Sequence, residues 1–135
     1  MDIKTLVFPA IATIGALFVY FGLGIAVGAA RFKYKIQPPQ TTGNEAFERI
    51  YRTHQNTLEQ IVLFLPCLWL YSIFVDPKWG AILGAVWIVG RIAYAWGYYI
   101  EASKRAAGNA IASLATLVLM FGTLFNLVRG LFFAA

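Results

Sequence analysis

Three arginines in this sequence, Arg31, Arg52 and Arg105, can each grip a carboxylate through paired N–H donors. Gln55 and Asn56 can pair with amides, Glu59 with an ammonium group, and the hydroxyls of Tyr94 and Tyr98 can donate hydrogen bonds. Together these groups suit a small, charged, peptide-like ligand. Their spacing sorts them into two stripes. On a helix, Glu45, Glu48, Arg52, Gln55, Asn56 and Glu59 fall near one face. Arg91, Tyr94, Tyr98, Glu101 and Arg105 follow steps of 3, 4, 3 and 4, and they share a second face if one helix continues to Arg105. Such groups are costly when left unpaired in hydrocarbon, so they must meet protein, a polar ligand or water. Two readings stay open for the first stripe: an internal salt-bridge network that fixes helix packing, or a ligand site. For the second, tyrosines at an interfacial belt and basic side chains snorkelling to headgroups account for Lys104 but not for Arg91. That residue should lie about 15 Å deeper than Glu101. A buried arginine needs an anion, and Glu59 is the expected partner in a structural ion pair.

Other chemistries have little to build on. His54 stands alone and Cys67 is the single cysteine, so neither a metal cluster nor an internal disulfide is expected. Cys67 lies within an apolar run and reads as a small core side chain. There is no glycine-rich phosphate loop, no Ser-His-Asp set with a recognisable elbow and no dinucleotide fingerprint.

The elements that must position these residues are membrane helices. Of the 135 residues, 60% are hydrophobic and 13% charged, more apolar surface than a soluble domain of this length can hide. Residues 5–30 carry no charge and as a helix would reach roughly 39 Å, beyond the hydrocarbon core of about 30 Å. A cleaved leader is the rival reading, but the apolar run is too long for one. Gly15, Gly22, Gly24 and Gly28 would let a neighbouring helix approach. Arg31, Lys33 and Lys35 follow, then Pro38-Pro39, which stop helix, and a loop in which Thr42 or Asn44 caps the next helix. That second helix is expected over 45–75, with Pro66 as a tolerated kink. After Asp76-Pro77-Lys78 a third helix is expected over 80–105 and a fourth over 109–132. The chain thus reads as one membrane domain, 1–135: an all-α integral membrane protein with a four-helix up-down bundle.

Four spans put both termini on one side. Arg31, Lys33, Lys35, Arg49, Arg52, Lys104 and Arg105 lie on the other, against Lys4, Lys78 and Arg129 on the termini side. The positive-inside rule places the 31–52 and 101–108 connections in the cytoplasm, whether the membrane is a bacterial inner membrane or the endoplasmic reticulum. The net charge of +5 therefore reads as a membrane signature rather than a nucleic-acid footprint.

The run P-P-x-T-T-G-N-E-A-F-E-R-I-Y-R-x-x-Q-N-x-x-E, Pro38 to Glu59, with G-R-x-x-Y-x-x-G-Y, Gly90 to Tyr98, resembles the membrane-associated proteins of eicosanoid and glutathione metabolism. The likeness is tightest to the branch of glutathione transferases and leukotriene C synthase. It implies a homotrimer that binds glutathione between protomers near the cytoplasmic surface. It also implies attack of the glutathione thiolate on an apolar electrophile or lipid hydroperoxide arriving from membrane lipid, a detoxification chemistry without metal. By matching positions, Arg31, Arg52, His54, Asn56, Glu59, Tyr94 and Tyr98 would hold glutathione and Arg105 would stabilise its thiolate. Two positions depart from the pattern, His54 in place of a glutamine and Gln60 in place of a tyrosine, and both bear on affinity and substrate choice. The family also includes a non-catalytic lipid-binding member, so a lipid-binding or scaffold trimer is the alternative. Retention of Arg31, Arg52, Tyr94, Tyr98 and Arg105 favours the transferase. A small transporter, the third reading, lacks broken helix pairs or repeats.

Overall fold

The computed structural model describes residues 2–133, and all of its regular secondary structure there is helical. Met1, Ala134 and Ala135, which the expected 1–135 domain includes, lie outside the described residues. A short 3-10 turn, Ile3–Leu6, leads into α1 (Val7–Tyr34); α2 spans Glu45–Phe74, α3 Pro77–Ile100 and α4 Ala106–Phe133. All four helices are long and apolar enough to cross a membrane.

Local chemistry sets most of the boundaries. The Asn44 side chain accepts from the backbone N–H of Phe47 at 3.0 Å and starts α2. Glu45 and Glu48 in its first turn complement the helix dipole. Asp76 accepts from the Trp79 N–H at 2.9 Å, and Pro77 opens α3 where its missing N–H costs nothing. In the 35–44 connection, Gly43 takes a φ of 123° that a side chain would strain. Buried hydroxyls in the spans are satisfied locally: Thr53, Thr57, Ser72, Thr116 and Thr123 each donate to the carbonyl four residues earlier.

α3 is the central helix, packing against α1, α2 and α4, while α4 also packs on α2. The core is built from small and aromatic residues. Ala12, Ala16, Ala112 and Ala115 surround Phe64, Leu68, Trp87 and Leu119, and the Phe64 and Trp87 rings stack at 4.2 Å. Large apolar side chains cover the outside, as lipid requires: Phe18 is 69% and Trp96 73% exposed. Cys67 is a buried free thiol, in the core role its setting suggested. Of the four α1 glycines, Gly15 faces Ile88 and Gly24 faces His54, whereas Gly22 and Gly28 have open space beside them within the protomer.

The third helix ends earlier than the 80–105 reading. The Glu101 backbone is extended, with φ −159° and ψ 139°. Ala102–Arg105 then form a separate 3-10 turn before α4. The cause is the tightness of the reversal. A Cβ on Gly97 would sit 2.2 Å from the Lys104 carbonyl oxygen, and one on Gly108 would sit 2.2 Å from the Tyr94 nitrogen. α3 and α4 therefore touch backbone to backbone, and a helix running on to 105 could not turn back into that contact.

Candidate functional site

The polar residues collect at the end of the bundle where α1 stops, α2 starts and α3 returns into α4. On α2, Arg52, Asn56 and Glu59 are spaced by four and three and share a face. That face meets α3: the Asn56 amide donates to the Tyr94 hydroxyl at 2.7 Å. The Tyr94 and Tyr98 rings meet edge to face at 5.6 Å. The early end of α3 matters here, because the reversal folds Arg105 back until its guanidinium lies 5.1 Å from the centre of the Tyr98 ring. One Arg105 N–H is held by the Ala102 carbonyl at 3.2 Å, and the rest of the exposed side chain is free to meet an anion. Asn56, Tyr94, Tyr98 and Arg105 thus form one continuous array across α2, α3 and the 3-10 turn. Arg52 and Glu59 stand exposed on the helix face beside it.

Arg91 does not meet Glu59. Its Nη2 donates to the Thr57 hydroxyl at 2.7 Å and its Nη1 to the Asn109 side-chain oxygen at 3.2 Å. Its guanidinium carbon lies 3.9 Å from the centre of the Tyr94 ring. Thr57 and Glu59 are two positions apart, roughly 200° around a helix, so the rotation of α2 that brings Thr57 to Arg91 turns Glu59 outward. The expected anion is replaced by two neutral oxygens and a π face. Sequence reasoning passed over Thr57 and Asn109, because Thr57 stands among the ions and amides of the first stripe and Asn109 at the very head of the fourth apolar segment.

Arg31 and His54 lie elsewhere. The Arg31 Nη1 donates to the carbonyls of Gln40 at 2.7 Å and Ile36 at 3.4 Å, and its guanidinium sits 5.1 Å from the Phe47 ring centre. Beside it opens a cavity of about 370 Å³ lined by Gly28, Arg31, Phe32, Lys35, Ile36 and Gln37. The His54 ring stacks on Tyr20 at 4.6 Å, in space that Gly24 leaves free. His54 therefore faces α1, on the opposite side of α2 from Asn56. Among the described residues no hydrogen bond or ring contact joins Arg31 or His54 to Asn56, Tyr94, Tyr98 or Arg105, so the candidate residues divide into two sets. Asn56, Tyr94, Tyr98 and Arg105 belong to the α2–α3 side, Arg31 and His54 to the α1 side. Both sets lie at the same end of the bundle. Among the described residues no group of three His, Cys, Asp or Glu side chains could hold a metal ion.

The fold and the array define a four-span membrane protein with a polar site at one end of an apolar bundle. The MAPEG family model matches residues 9–125, and the chain belongs to that family. It is 42% identical over 101 residues to microsomal glutathione S-transferase 2 of Homo sapiens, covering 75% of this chain and 67% of that protein. It is 40% identical over 91 residues to leukotriene C4 synthase of Bos taurus, covering 67% of this chain and 59% of that one. An uncharacterized protein of Synechocystis is 53% identical over 123 residues, 91% of this chain and 90% of its own.

Proposed function

We propose that the protein is a membrane glutathione transferase, with glutathione-dependent peroxidase activity within reach of the same site, working as a homotrimer. The observation that carries the reading is the Asn56–Tyr94–Tyr98–Arg105 array at the end of the bundle. Family membership and the transferase and synthase relatives support it. Glutathione supplies two carboxylates, an ammonium, two amides and a thiol. Arg52 matches a carboxylate, Glu59 the ammonium, Asn56 an amide, and Tyr94 and Tyr98 offer hydroxyls. Arg105 is the cation for the sulfur.

The division of the candidate residues supports an oligomer in which neighbours share a site. Arg31 is engaged with Gln40, Ile36 and Phe47 and His54 with Tyr20 rather than with the array of their own protomer, so a site using all of them would be closed by the α1 side of a neighbour. The basic connections 31–52 and 101–108 favour a junction at the cytoplasmic surface, in a bacterial inner membrane or the endoplasmic reticulum. An apolar electrophile then enters from lipid. The thiolate sulfur forms a bond to the electrophilic carbon as the leaving group departs with its electron pair. With a hydroperoxide, the sulfur takes the distal oxygen, the alkoxide takes a proton, and a second glutathione reduces the resulting sulfenic acid to disulfide and water.

Detergent-purified protein should conjugate glutathione to a chromogenic aryl halide. Arg31→Ala and Arg105→Ala should each be nearly inactive alone. Co-expressed, they should recover activity, because roughly a quarter of the junctions in randomly mixed trimers pair an intact Arg105 with an intact neighbouring Arg31. No turnover by the wild type would return the protein to the lipid-binding alternative. Turnover without recovery in the mixture would place both arginines in one subunit's site.

A further inference from the structure

We propose that Arg91, buried below the glutathione site, is the positioning residue for Tyr94, setting both the place of its ring and the donor strength of its hydroxyl. The inference rests on the glutathione reading above and adds a residue to it. Arg91 is fully buried, with 0% of its surface exposed. Its two terminal nitrogens are committed to different helices, Nη2 to Thr57 on α2 and Nη1 to Asn109 on α4. The Thr57 hydroxyl spends its own proton on the Thr53 carbonyl at 2.8 Å, so the lone pair it turns to Arg91 is a dedicated acceptor. The planar fork is therefore clamped from both sides. It lies 3.9 Å from the centre of the Tyr94 ring.

Tyr94 is in turn held at three points. Arg91 covers a face, Tyr98 meets it at 5.6 Å in an edge-to-face contact, and the hydroxyl accepts the Asn56 amide at 2.7 Å. Because the hydroxyl oxygen is the acceptor in that bond, its proton remains to be given to a ligand. A cation over the ring draws electron density from it, and a hydrogen bond accepted by the oxygen does the same, so both strengthen the O–H as a donor. A buried arginine with no carboxylate among its recorded partners is expensive as mere packing. It is explained if its charge acts on the aromatic group beside it. Lysine could not replace it, having one nitrogen where two helices must be reached.

The test is a double-mutant cycle read by glutathione binding to the full-length protein in detergent. Arg91→Gln should weaken binding about tenfold, Tyr94→Phe by a similar factor, and the double variant little more than either, because one residue acts through the other. Thr57→Val, which leaves the charge but loosens the fork, should weaken binding about threefold and provides a milder variant should Arg91→Gln unfold. A second readout needs no ligand. The 13Cζ signal of Tyr94, assigned by its loss in Tyr94→Phe, should move in both Arg91→Gln and Thr57→Val. Losses that add across the cycle, or an unmoved Tyr94 signal, would make Arg91 a structural pin and overturn the proposal. If the wild type binds no glutathione, the functional reading fails by itself, and the Tyr94 signal still decides whether Arg91 controls that ring.

Discussion

Arg105→Ala is expected to leave bound glutathione protonated at neutral pH and to cut turnover at pH 7 roughly 30-fold. The thiolate is the nucleophile, and an ordinary thiol near pKa 8.5 is only a few per cent ionised at pH 7. A guanidinium about 4 Å from the sulfur, at an effective dielectric of about 20, stabilises the thiolate by roughly 4 kcal/mol. At about 1.4 kcal/mol for each pKa unit, that lowers the thiol by two to three units. The sign follows directly. A lowered pKa means the thiolate is already formed below neutrality, so wild-type turnover should be flat from about pH 7 upward. Without Arg105 it should climb with pH through about 8.5, and the two enzymes should converge in alkali. Thiolate absorbance of bound glutathione, titrated in both proteins, checks this. Coincident titrations would remove Arg105 from the role. The guanidinium is suited to it because the Tyr98 ring fixes its position at 5.1 Å while leaving donors open.

The largest effect on stability is expected at Gly108. A Cβ there would lie 2.2 Å from the Tyr94 nitrogen and 2.6 Å from the Gly90 carbonyl oxygen. These are backbone atoms of α3, which cannot swing aside as a side chain can. Overpacking usually costs about 1–3 kcal/mol, and a clash with a helix backbone belongs above that range. Gly108→Val should therefore part α3 from α4 and lower the thermal midpoint in detergent by well over 10 °C. Gly130→Val, with nothing within 4 Å of its Cβ position, should leave the midpoint near wild type. Because the α3–α4 contact also carries the reversal that lays Arg105 on Tyr98, Gly108→Val should lose glutathione binding together with stability. Equal midpoints for the two variants would contradict the backbone contact.

Four apolar runs, a cap at Thr42 or Asn44 and the polar faces of α2 and α3 could be read from residue types and spacing, since each depends on neighbours close in the chain; the structure selects Asn44. The contact between Asn56 and Tyr94 joins two residues that sequence placed on separate stripes. What spacing could not supply was tertiary. Nothing between Tyr98 and Arg105 is a helix breaker; α3 stops because Gly97 and Gly108 bring two backbones together. A stripe of steps 3, 4, 3 and 4 ran through that stop, though Arg105 still reaches the Tyr98 ring by another path. The partner of Arg91 depended on how α2 is rotated against α3, which pattern leaves undetermined between Thr57 and Glu59. The placement of His54 against Tyr20 was illegible for the same reason, since either side of α2 could have faced α1.

In the proposed trimer one glutathione is held between the Arg105 array of one protomer and the α1 side of its neighbour. A density map of the detergent-purified protein soaked with glutathione tests it most directly. Sulfur density is expected beside the Arg105 guanidinium, with a carboxylate at Arg31 of the neighbouring subunit. A tripeptide bound wholly within one protomer, or with its sulfur away from Arg105, would contradict it.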